Sequence, residues 1–361
     1  MSTDNTIAAT RQQNMQSLSH DKTVDIADLD GFQLPPRVTE EFLERAQKEV
    51  QLLGMVDTMT LERLQQEVPQ FGVPVLSGDT RDEEGSRTSS STAESGEVKF
   101  NATDKQYYIL VEPRRDAIKN THYDEDQFGD YIVDQFVQRW GNDVALIGMR
   151  AGASSGALND YVSADVSHLD STFTGWIARA EGDTQSVDDS SNSTRLGLED
   201  TADGELATMP ELDHTDGNGN AQALDTGVFN EAIQTLDSRY RNTDETVFLM
   251  NPDQVQQYAM DLTQREDPLG SAVIFGDSDL TPFDYDIVGV NGWPTEYAMF
   301  TDPGNLAYGL FGEMELDQTQ DTDKVHEQKL HSRNWMEGQM DFQIKEMQAG
   351  VLVTGLADPL A

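Results

Sequence analysis

Three short stretches of this 361-residue chain carry residue types that could do chemistry. Gly152-Ala-Ser154-Ser-Gly156 matches the Gly-x-Ser-x-Gly elbow, in which a sharp turn from a strand into a helix lifts a serine hydroxyl above a sheet for acyl transfer. Here the motif follows a long helical pattern and opens no new one, so a helix terminator is the better reading of Ser154. His326-Glu-Gln-Lys-Leu-His331 places two imidazoles five residues apart, whereas a zincin helix needs four to put both on one face. Two polar histidines in a strand or loop are expected instead. Glu211 to Asn220 is rich in oxygen ligands, and Asp213, Asp216 and Asn218 are weak cation candidates. The glycine falls at the wrong offset for a calcium loop, and no Glu closes it at the twelfth position. No glycine-rich phosphate cradle follows a strand. The sequence therefore predicts no catalytic residue, no cofactor and at most cations held loosely in high salt.

Composition points the same way. Asp and Glu number 66 against 24 Lys and Arg, a formal net charge of −42, and Arg outnumbers Lys 16 to 8. A folded domain with that much like charge repels itself in dilute buffer. In molar salt the Debye length falls to about 3 Å and the repulsion is screened almost to contact. The 37% hydrophobic content and 14 Phe argue against an acidic disordered chain. The expectation is a folded protein of a salt-rich compartment, such as a haloarchaeal cytoplasm. With no cysteine, disulfides, thiol catalysis and Cys-type metal sites are excluded. The acidity argues against a DNA reader. No eighteen-residue apolar run and no early apolar segment occur, so neither a membrane span nor a signal peptide is expected.

The elements follow from periodicity. Residues 1–34 are a polar arm ended by Pro35-Pro36. Thr39 caps a helix carrying Phe42, Ala46, Val50 and Leu53, closed by Gly54. Phe71–Leu76 and Glu97–Glu112 are expected as strands, joined through Gly78–Gly96, which lacks any large apolar residue and cannot bury itself. Phe128, Ile132, Phe136, Trp140 and Val144 then recur at i, i+4, predicting a helix from about Asp124 to Arg150 stopped by Gly152. Its length, about 40 Å at 1.5 Å per residue, makes it a spine. Residues 181–225 hold twelve acids and one base, which predicts a solvated insertion. A helix over Val228–Arg239, a strand over Thr246–Met250, a helix opening at Pro252 and strands at Pro282–Val288 and Tyr297–Phe300 complete a mixed second half.

This order of elements resembles the major capsid protein of tailed viruses, the Hong Kong 97-type fold. Phe128–Gly152 resembles the family's spine helix, and Thr174-Gly175-Trp176 a recurrent Gly-Trp beyond it. Val247-Phe-Leu-Met250-Asn251-Pro252-Asp253 resembles a strand-to-helix signature of the axial domain, with Asp267-Pro-Leu-Gly270 at a recurrent turn. Asn305–Gly312 and Phe342–Val353 resemble later strands. The resemblance spans roughly residues 39–356.

It implies an α+β fold: arm and helix over 1–70, an extended two-stranded loop over 71–118, a peripheral domain over 119–224 and 336–361, and an axial domain over 225–335. It further implies a shell subunit of a tailed virus of a halophilic archaeon, built as hexamers and pentamers around double-stranded DNA and assembled in the host cytoplasm. Partners would be other copies of the chain, with scaffold, portal and decoration proteins open. The residues expected at assembly contacts are Asp79, Arg81, Arg87, Glu97, Lys99 and Phe100 of the loop. Phe128, Ile132, Phe136 and Trp140, through packing of the spine helix, are expected at the assembly interface as well. A cellular encapsulin-like compartment shares the fold, and a serine hydrolase built on Ser154 is the rival from another class. Deleting Asp79–Ser95 is expected to spare subunit folding and impair assembly; shells of normal yield and size in electron micrographs would refute that role for the loop.

Overall fold

The computed structural model describes residues 50–72, 94–114, 125–163, 165–182, 209–216, 218–242, 244–263, 281–311, 315–319, 323–330 and 332–360. They fall into two units. The first includes Tyr107–Asn142 and Gly312–Gly338, the second Gln51–Gln106, Asp143–Phe311 and Gln339–Ala361. The predicted spine is a helix over Glu125–Arg150, and Gly152 leaves it at φ 71°, the left-handed turn that glycine permits.

In the second unit, β1 (Asp57–Leu61) leads into a two-stranded ribbon of β2 (Gln65–Gly72) and β3 (Glu94–Asn101). The ribbon begins six residues earlier than the apolar pattern predicts, because Gln65–Gln70 is polar and owes its strand form to the antiparallel ladder with β3. The single strand expected over Glu97–Glu112 is two, β3 and β4 (Gln106–Val111). Between them the Asn101 side chain accepts from the Thr103 N–H at 3.2 Å, turning the chain.

Two sheets carry this unit's core. Parallel β1 and antiparallel β11 (Arg333–Ile344) flank β9 (Leu306–Phe311), with Asp57 opposite Ala307 and Met340 opposite Leu310. The second sheet runs β5 (Glu211–Asp213), β12 (Gly350–Thr354), β8 (Ala298–Thr301), β6 (Val247–Met250), β7 (Ile287–Gly289). Its central strands are apolar except for Thr301 and Thr354 at their ends, while both edges are three residues long and offer little backbone for stray pairing. Phe248 and Phe300 stack at 4.1 Å across β6 and β8, with Phe229 and Tyr285 edge-on to them.

Three expectations need correction. Of the solvated insertion expected over 181–225, residues 183–208 and 217 lie outside the described residues, but 209–216 and 218–225 do not fit it: Met209 and Leu224 are buried and β5 joins the sheet. The expected limit at 336 separates β12 from the sheet it is hydrogen-bonded into, so 350–354 belongs with β6 and β8. Pro282–Asp284 is a tight turn before the short β7 rather than a strand, because Phe283 and Asp284 both take positive φ, in the left-handed region that no strand occupies. The helix predicted from Thr39 lies outside the described residues except for its end, which is turn.

Caps fix the remaining starts. Asp225 accepts from the Val228 N–H at 3.0 Å and opens the helix Thr226–Thr235. Asn251 accepts from the Asp253 N–H at 2.8 Å and opens the helix Pro252–Thr263, while its amide donates to Trp293 O. The Asn-Pro signature is thus a cap and an anchor in one residue. The helix Trp176–Glu181 approaches the last turns of the spine so closely that a Cβ on Gly175 would lie 2.6 Å from the Gly148 carbonyl oxygen. Trp176 then donates to Ala307 O at 3.0 Å and meets Phe342 edge-on at 5.2 Å.

In the first unit, β10 (Glu315–Thr319) pairs antiparallel with β11 from Glu337 to Arg333, and β4 lies on β11. Tyr107 is buried against Gly338 and lies 6.3 Å from the Trp140 ring. Because the Gly175 approach is backbone against backbone, Gly175→Ala is expected to lower unfolding stability by about 1–3 kcal/mol. An unchanged denaturation midpoint would contradict that packing.

Candidate functional site: the loop root and its buried carboxylate

Ser154 lies exposed in the turn after the spine, not between a strand and a helix. Its N–H donates to Glu181 Oε2 at 2.9 Å, and Ser155 N–H donates to the Tyr297 hydroxyl, which itself donates to Glu181 Oε1 at 2.5 Å. Burial, then the Glu181 bond, push the Tyr297 hydroxyl well above its usual range. No histidine bonds the Ser154 hydroxyl among the described residues. His326 is exposed on the short helix Asp323–Glu327 rather than in a strand or loop, and His331 lies outside the description.

The oxygen-rich stretch forms turns. Asp216 Oδ1 accepts from the Asn218 and Asn220 N–H groups, both at 2.8 Å, and Asn220 Nδ2 donates to Oδ2. The Asn220 side chain first, then these backbone donors, hold the Asp216 carboxyl at about 2. Asp213 accepts from Thr215 N and Oγ1. Their lone pairs serve the loop itself, and no three metal-ligating side chains converge among the described residues.

Of the expected assembly residues, Asp79, Arg81 and Arg87 lie outside the description. Glu97 and Lys99 stand in β3 opposite Pro69 and Glu67, with side chains outside it. Phe100 is a correction. At 1% exposure, against Leu61 and the bare face of Gly309, its ring fills the subunit's own core and offers nothing to a neighbour. Trp140 is likewise a correction: at 1% exposure it lies in the chain's own core rather than on a surface open to a neighbour. Phe128, Ile132 and Phe136 lie on the spine backbone, their side chains outside the description.

What holds the root of the ribbon is a buried charge cluster. Asp341, on β11, has no exposed surface. Its Oδ1 takes Lys105 Nζ at 2.5 Å, Arg179 Nη2 at 3.1 Å and the Phe342 N–H at 2.9 Å. Its Oδ2 takes the Asn101 N–H at 2.9 Å and Gln343 Nε2 at 3.2 Å. Five donors from four segments converge on one carboxylate. Burial opposes its charge, but Lys105, Arg179 and the hydrogen bonds overcome it and hold the carboxyl below its usual range. Burial pulls the Lys105 ammonium down; Asp341 raises it and Arg179, competing for the same oxygen, lowers it again. The sequence hints at this only in that Asp341 stands between Met340 and Phe342, and Arg179 stands in Trp-Ile-Ala-Arg-Ala. Nothing in the sequence marked them as partners.

This architecture recurs in solved capsid structures. A chain of the satellite phage P4 procapsid, a structure that includes the size determination (Sid) protein, matches at a TM-score of 0.61 and 14% identity. The match covers 97% of this chain and 98% of that one. The cyanophage A-1(L) capsid matches at 0.56 and 12% identity, over 85% and 92%. The capsid of the native GTA particle matches at 0.53 and 12% identity, over 85% and 90%. No protein-family model and no curated protein matches the sequence. The chain has the Hong Kong 97-type fold of tailed-phage capsid proteins.

Asp341→Asn is expected to cost about 3–5 kcal/mol, because it strands two buried cations. Lys105→Met should cost less, since Asp341 keeps Arg179 and its three N–H donors. A depressed native carboxyl stabilises the fold above its unfolded value near pH 4 and loses that contribution as pH falls through the native value. Asp341→Asn should therefore flatten the acid limb of stability against pH; equal acid limbs in urea titrations would contradict the cluster's role.

Proposed function

We propose that this chain is the major capsid protein of a tailed virus, assembling as hexamers and pentamers into an icosahedral shell around double-stranded DNA. The observation that carries this is the fold match over nearly the whole of both chains with a subunit of the phage P4 procapsid. Such a role needs no catalytic residue, and none of the three chemical motifs assembles a site among the described residues. An assembled shell is also the natural use for a ribbon whose strand β2 pairs, among the described residues, only with β3. Scaffold and portal proteins would be the partners, with the virion as location and the host cytoplasm as the place of assembly. DNA would be enclosed without sequence-specific contact.

The charge of −42 supports a halophilic archaeal host, where molar salt screens the repulsion between subunits and from the genome. The encapsulin-like compartment shares this fold and differs in cargo. Electron microscopy of the protein purified in molar salt tests the shell reading: icosahedral particles, hexamers or pentamers are expected. Persistent monomers under all salt and scaffold conditions would overturn it. Dialysis to millimolar salt should disperse the shell before the subunit unfolds, because contacts bring like charges together. Light scattering that stays constant on dialysis would sink the charge argument.

A further inference from the structure

The buried cluster at the ribbon root holds more positive charge than its one acceptor can serve. Arg179, on the helix Trp176–Glu181, is 3% exposed and cannot shed its proton. Its Nη2 donates to Asp341 Oδ1 at 3.1 Å, the longest of three bonds to that oxygen. Lys105 Nζ at 2.5 Å and the Phe342 N–H at 2.9 Å are the other two. With the Asn101 N–H and Gln343 Nε2 on Oδ2, five donors meet a carboxylate that offers about four lone-pair sites. Asp341 has no capacity left for Arg179 Nε, which is buried without a hydrogen-bond partner among the described residues. Two cations against one carboxylate leave a formal charge of +1 in the core of a chain of net −42.

We infer that Arg179 Nε binds a small monovalent anion, of the size and charge of chloride, which balances the cluster. Charge selects the ligand class: a water molecule would serve the N–H and leave the charge, whereas one halide serves both. Burial selects its size, because a guanidinium so covered excludes an organic anion. The exterior decides when the site fills. A net charge of −42 repels anions in dilute buffer, and molar salt both screens that repulsion and supplies the halide. Salt then stabilises the subunit in an anion-specific way besides screening its surface. Loss of the Lys105 proton would neutralise the cluster instead, and its short, charge-assisted bond to Asp341 argues against that.

The test follows urea unfolding of the full chain at constant molar ionic strength while gluconate is replaced by chloride, in the parent and in Arg179→Met. Above the dissociation constant, each tenfold rise in chloride should multiply the parent's folded-to-unfolded ratio about tenfold. In Arg179→Met that dependence should vanish, leaving only the general effect of the two salts. Equal chloride dependence in parent and variant would overturn the proposal. The parent alone supplies a second readout should Arg179→Met fail to fold. Its crystals grown in bromide should show an anomalous peak at hydrogen-bond distance from Arg179 Nε. A water there, with no anomalous signal, would overturn the proposal and leave proton loss at Lys105 to balance the charge. Both readouts concern a single subunit, so neither result bears on the shell reading.

Discussion

The architecture depends on one buried carboxylate meeting more positive charge than it carries. Asp341 gathers the end of β3 through the Asn101 N–H, the start of β4 through Lys105 and the helix Trp176–Glu181 through Arg179. A buried ion is tolerated only when its lone pairs are filled, and here both oxygens are shared among five donors. The consequence is positional. A two-stranded ribbon is marginal in water alone, so its geometry is inherited from its root. Phe100, seated on the bare backbone of Gly309 one residue before Asn101, adds an apolar clamp to the ionic one.

The same economy governs the other buried bases. With only 24 Lys and Arg, the chain buries three of the described ones for specific joints. Two meet at Asp341. The third, Arg150, ends the spine, donating to Gly292 O at 2.5 Å and Gly156 O at 2.6 Å with its guanidinium over the Tyr161 ring. A planar fork of five donors suits two carbonyls and a ring at once, which a lysine could not do.

Much of the fold was legible because local signals agreed with tertiary ones. The spine helix ends where i, i+4 periodicity and Gly152 say it should, and Asn251-Pro252 opens its helix as capping chemistry predicts. Errors arose where long-range pairing overrode local pattern. Gln65–Gln70 is a strand only because β3 pairs with it, and 209–225 is ordered because β12 offers an edge to an acidic segment. The site was less legible still. Phe100 has the look of a loop residue by position, yet it is core. Asp341, Lys105 and Arg179 lie up to 236 positions apart, and no spacing rule links them.

Native-state hydrogen exchange at the Asn101 and Phe342 amides tests the central claim most directly, since both donate to Asp341. If the carboxylate holds the loop root as described, both amides exchange only through global unfolding, with protection matching the most stable core strands. Exchange of either amide through a local opening far below the global free energy would contradict it. The ribbon would then be anchored by something other than Asp341.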